Sequence, residues 1–135
     1  MHPSFPAMIS NIGQIAITVS DLDKAIRFYR DVLGLPFLFQ APPAMAFFKC
    51  GSVRLMLSLP ETPGTKPANS IIYFKVEDIE AAAAMLVARG TAINGGIKLI
   101  AKMPDHDLWM AEFHDPDDNA LVLMCEKPNA SAALS

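Results

Sequence analysis

The residues of this chain that most often do chemistry are few. There are three histidines, His2, His106 and His114, and two cysteines, Cys50 and Cys125. A metal site needs several such donors converging, with alternating or helical spacing. Asp105-His106-Asp107 is the one local cluster. Short carboxylates beside one another usually solvate a turn, and no distant fourth ligand stands out. Cys125 alternates into an apolar stripe and reads as an inert core thiol, and Cys50 has no base beside it in sequence. There is no Gly-rich phosphate loop, serine elbow or Cys-x-x-Cys pair. Chemistry without a metal then requires a proton-transfer group. Glu112 is the candidate: it alternates with Trp109, Ala111 and Phe113 and so faces away from that apolar stripe. Beside Met110, and near Met124 or Met56, its carboxylate would be desolvated, which makes a Glu a usable general base. His106, entering the same strand, is the candidate to hydrogen-bond a ligand over the mouth of the site. The plain alternative is a solvated Glu112 at the rim and His106 as a loop residue.

The elements that must position these residues come from a pattern written twice. Val19-Ser20-Asp21-Leu22-Asp23-Lys24-Ala25 returns as Val76-Glu77-Asp78-Ile79-Glu80-Ala81-Ala82. Each copy follows an alternating apolar run, opens a helix-period run, and ends at a glycine, Gly34 or Gly90. Asp21 and Asp78 (or Glu77) are N-caps, and the glycines supply the left-handed residue after each helix. The spacing predicts strands over 12–19, 37–40, 45–50 and 53–59 in the first half, and over 70–76, 97–102, 108–114 and 120–126 in the second. The fold class is therefore α+β: two βαβββ modules, 9–59 and 69–126, joined by a Pro-rich linker over 60–68, with loose termini over 1–8 and 127–135. A four-stranded sheet cannot cover both faces with one helix, so the uncovered faces are expected to form a cleft.

Composition sets the partners. Hydrophobic residues make up 52%, charged residues 19%, and the net charge is −3 with no basic block. Neither nucleic acid nor a membrane is expected as a partner. Residues 1–11 lack the layout of a secretory signal, and two cysteines make no disulfide framework, so a cytoplasmic location is expected.

The chain resembles the vicinal oxygen chelate superfamily, which includes glyoxalase I, methylmalonyl-CoA epimerase, extradiol dioxygenases and the fosfomycin and bleomycin resistance proteins. The matching pieces are Val19-Ser20-Asp21-Leu22, Phe28-Tyr29, Val32-Leu33-Gly34-Leu35, Val76-Glu77-Asp78-Ile79 and Asp115-Pro116-Asp117-Asp118-Asn119. The resemblance implies eight strands in an open, U-shaped sheet (the glyoxalase/bleomycin-resistance/dioxygenase fold). It also implies a divalent metal held by four inward side chains. Those positions fall on Gln14, Met56, Ile71 and Val122, of which only Gln14 offers an oxygen. No metal and no cofactor is therefore expected. The uncovered face also carries Arg54, Tyr73 and Met124, and Trp109 either lines a pocket or seals the core. That mixture suits an aromatic or acyl ligand gripped by a few polar groups. The sequence thus reads as a homodimeric binder of a small organic molecule in a metal-free cleft. The alternative is a metal-dependent lyase, epimerase or dioxygenase with a shifted ligand set.

Overall fold

The computed structural model describes residues 8–64 and 68–129. The arm expected at 1–8 lies outside it except for Met8, as do the middle of the linker and the tail beyond Asn129. The elements run β1 (Gln14–Thr18), α1 (Leu22–Arg27), β2 (Phe37–Ala41), β3 (Met45–Cys50), β4 (Val53–Ser58), β5 (Ile72–Lys75), α2 (Ile79–Ala88), β6 (Asn94–Lys102), β7 (His106–His114) and β8 (Ala120–Pro128). No helix is long and apolar enough to cross a membrane among these residues.

Both helices start as their sequences require. Asp21 stands in an extended conformation and its carboxylate accepts from Lys24 N–H at 3.0 Å; Asp78 does the same for Ala81 N–H, also at 3.0 Å. Each cap satisfies a backbone donor that the first turn leaves free. Gly34 and Gly90 end them with φ of +73° and +89°, a region that costs a side-chain-bearing residue dearly. Between Arg27 and Leu33 the first helix widens into a π turn, Phe28–Val32. This wider turn sets Phe28 and Tyr29 side by side in the core.

The eight strands divide into two four-stranded sheets of the same order, β1-β4-β3-β2 and β5-β8-β7-β6. In each, the first strand runs parallel to the last, and the rest are antiparallel. The helix-facing stripes of both sheets merge into one core. Ile17, Val19, Leu55, Leu57 and Tyr29 from the first half pack with Ile79, Leu86, Phe113, Leu121 and Cys125 from the second. The alternate residues stand on the opposite, open faces. The halves are pinned at a few polar points. Asn69, just ahead of β5, accepts from Thr18 N–H at 3.1 Å and donates to Thr18 C=O at 3.0 Å. Tyr29 donates to Asp115 at 2.8 Å, and Arg89 donates to Val32 C=O at 2.8 Å.

Three strands run two or more residues beyond what their sequences suggest, and one of them, β7, begins at His106 rather than Leu108, so His106 is a strand residue and not a loop residue. β6 begins at Asn94, because Gly95 and Gly96 are taken up in an irregularity between Asn94 and Lys98 and do not end the strand. β8 runs on through Lys127 and Pro128, opposite Asp107 and His106. Lys127 is held there by Glu80 of α2, at 2.6 Å.

Candidate functional site

The open face of the first sheet is assembled by register. Gln14 lies beside Arg54, and Ala16 beside Met56, across β1 and β4. Across β3 and β4, Phe47 faces Met56 and Lys49 faces Arg54; across β2 and β3, Phe39 faces Phe47. The Arg54 Nε donates to Gln14 Oε1 at 2.8 Å, while Gln14 Nε2 points to the Met56 sulfur at 3.6 Å. The guanidinium lies 5.2 Å from the centre of the Phe47 ring, which itself stacks on Phe39 at 4.6 Å. A cation fixed at one nitrogen and seated on an aromatic shelf is an oriented group, not a free surface arginine.

The open face of the second sheet carries Tyr73 opposite Val122 and Lys75 opposite Met124, with Met110 and Glu112 next across β7. Tyr73, Lys98, Met110, Glu112 and Val122 line a shallow hollow of about 240 Å³. Ile71 stands just before β5, half exposed. The structure thus brings the sequence-predicted residues together as two groups: Gln14, Arg54 and Met56 on one sheet, Tyr73, Glu112, Val122 and Met124 on the other. No hydrogen bond or ring contact among the described residues joins the groups.

The structure bears on three candidates that the sequence left with two readings each. Glu112 is not desolvated: its side chain is 51% exposed, with the His114 ring 3.7 Å away. A strand leaves the outer half of such a side chain in water unless another layer covers it. His106 does not join it. The two lie well apart on one strand, roughly 20 Å in extended backbone. His106 is instead bonded to Asp105 at 2.7 Å, which holds that exposed carboxyl below its ordinary range. Trp109 takes the second of its two readings. Opposite in parity to Met110 and Glu112, it packs on the core side under the Lys127 ammonium, 5.7 Å from its ring. It therefore does not line the open face.

Sequence reasoning passed over Phe39, Phe47 and Lys49. The signal was present for two of them. Counting outward from the Gly51-Ser52 turn pairs Cys50 with Val53, then Lys49 with Arg54 and Phe47 with Met56. Phe39 is displaced by a register shift in β2 and could not be counted.

The profile of the Glyoxalase/Bleomycin resistance protein/Dioxygenase superfamily matches residues 11–123. The chain belongs to this superfamily. The protein YraH of Bacillus subtilis (strain 168) is 29% identical over 126 residues, 82% of this chain and 94% of YraH. TnmS3, an antibiotic binding protein from Streptomyces sp. CB03234, superposes with a TM-score of 0.72 at 26% identity, over 90% of this chain and 100% of that one. Metallothiol transferase FosB of Staphylococcus haemolyticus (strain JCSC1435) is 39% identical over 51 residues, only 38% of this chain and 36% of FosB.

The four positions at which the superfamily resemblance implies metal ligands do not fit a dication here. The Gln14 oxygen is already taken by Arg54, whose positive charge stands against it. Met56 offers a thioether, which suits soft Cu(I) rather than a hard or borderline ion. Ile71 and Val122 have no lone pair to give.

Proposed function

We propose that this protein binds a small, mostly apolar organic molecule on the open faces of its sheets, at a site that works without a metal. The observation carrying this reading is the Gln14–Arg54 pair over the Phe47 and Phe39 rings. Where the superfamily resemblance implies an oxygen ligand, this chain orients a cation over an aromatic shelf. The likeness to TnmS3, an antibiotic binding protein, supports the same direction. The short similarity to metallothiol transferase FosB favours a second reading, a metal-dependent lyase, epimerase or dioxygenase with a displaced ligand set.

The binder is further proposed to be a cytoplasmic homodimer. The outward edges of β1 and β5 ladder with no strand among the described residues, and the edge strand β2 exposes Phe37, Leu38 and Phe39. Unpaired edges of this kind are normally covered. Calorimetric titration with planar bicyclic aromatics, together with elemental analysis of the dialysed protein, tests the reading. Saturable binding with no stoichiometric metal is expected. One equivalent of Fe, Mn, Ni or Zn, with function lost on chelation, would establish the second reading instead.

A further inference from the structure

The four strands of the first sheet contain two charged residues, Lys49 and Arg54, and no acid. Both are cations, in a protein whose net charge is −3. They face each other directly across the β3–β4 ladder. Like charges at directly opposed positions destabilise a sheet. Surface cations usually relieve this with a nearby carboxylate, yet neither forms an ion pair among the described residues. The other cations on the open faces differ: Lys75 lies 3.6 Å from Glu126, and Lys98 shares its hollow with Glu112.

The geometry of Arg54 narrows what would relieve the repulsion. Its Nε is committed to Gln14, and its face lies on Phe47. The terminal Nη1 and Nη2 carry no hydrogen bond among the described residues. They form an end-on fork, the shape that takes a planar carboxylate or a sulfonate oxygen pair. Beside the fork lies the Phe39–Phe47 stack, tilted by only 28°, a flat apolar wall. We infer that the ligand is an aromatic acid. Its anionic group is taken end-on by Arg54 with Lys49 opposite, and its ring lies along Phe47 and Phe39. This inference rests on the binding reading above and names the class of ligand for that site.

A matched pair of probes tests it. 2-Naphthoate and 2-naphthamide share size and planarity and differ in charge. Each is titrated calorimetrically into the wild-type protein and into the Arg54→Gln and Lys49→Met variants, at low and at physiological salt. The wild type is expected to bind naphthoate at least ten-fold tighter than naphthamide, with the gap narrowing as salt rises. Arg54→Gln should abolish the preference and Lys49→Met should reduce it several-fold, read as the ratio of the two probe affinities within each variant. Both positions are exposed, and each variant removes one member of the like-charged pair, so cooperative thermal melts at or slightly above the wild-type temperature are expected to show that the variants fold. Equal binding of the two probes to the wild type would overturn the inference and leave the binding reading standing. A naphthoate preference that survives in both variants would also overturn it. Failure of both probes to saturate the wild type would bring down both readings.

Discussion

Tyr29→Phe removes one oxygen from the centre of the molecule, and its effect can be worked out. Tyr29 is fully buried, and its hydroxyl donates to Asp115 Oδ2 at 2.8 Å, joining the first helix to the β7–β8 turn. Asp115 is the one buried charged residue of the core among the described residues, and it also accepts from the backbone N–H groups of Asp117 and Asn119 and from the Asn119 amide, each at 2.9 Å. A hydrogen bond to a charged group contributes about 1.5–3 kcal/mol. Three other donors stay on the carboxylate, so the lower half of that range applies. At this chain length the loss corresponds to roughly 4 °C in Tm for each kcal/mol. The phenol also has a pH signature. Burial, and then the neighbouring Asp115 carboxylate, hold Tyr29 well above its ordinary value of 10.0. The folded state therefore keeps a proton that the unfolded chain releases above about pH 10. Its contribution is fully present below that pH and declines above it, by at most about 1.4 kcal/mol per pH unit. Urea unfolding followed by Trp109 emission, at pH 7, 10 and 11, measures both effects. Wild type should exceed Tyr29→Phe at pH 7, and the difference should shrink at pH 11. A variant within 0.5 kcal/mol of wild type at pH 7, roughly the noise of a surface substitution, would refute the reasoning.

Four further outcomes are expected. Asp115→Asn should cost more than Tyr29→Phe in the same urea assay, because an amide nitrogen would be turned toward donors that now have no acceptor. Asp21→Ala and Asp78→Ala should each cost about 1 kcal/mol, read from urea midpoints, since each removes one capping bond of the same length. Light scattering at micromolar concentration should return the mass of a dimer, and a clean monomer would remove the reading of the open strand edges. Lys49→Glu should raise stability by a few tenths of a kcal/mol, up to about 1, by placing opposite charges across the ladder; a lower urea midpoint would contradict it.

The parts of the fold that the sequence made legible are those set by local rules. The stripes Ile15/Ile17/Val19 and Leu121/Leu123/Cys125 alternate because a strand does, and both lie in or against the core. Asp21, Asp78, Gly34 and Gly90 mark helix ends because unpaired donors and left-handed backbone demand particular residues. What was not legible depends on contacts far apart in the chain. Nothing near Phe28–Val32 announces the π turn; it places two aromatic rings in the shared core, with Tyr29 beside Phe48 and bonded to Asp115. Gly95 and Gly96 look like a loop, and only pairing with β7 keeps them in a strand. Glu112 had the right parity, but parity says which face a side chain takes and nothing of what lies above it. For that reason its exposure could not be read, and neither could the separation of the two site groups.

The same distinction bears on the binding face. Core positions are occupied by what packs, so Leu55, Leu57 and Phe48 between and beside the site residues say nothing of a ligand. Open-face positions are released from that demand, and water alone would accept almost any polar residue there. A sheet selected only for stability would set opposite charges, or no charges, at the facing pair of β3 and β4. This one sets Lys49 against Arg54, and then uses Gln14 to hold the arginine in one orientation. Like charges so opposed cost folding energy at the bare surface, and the anion proposed above would offset that cost. Lys49→Glu therefore separates stability from binding: the substitution that relieves the sheet is the one that should remove its hold on an aromatic acid.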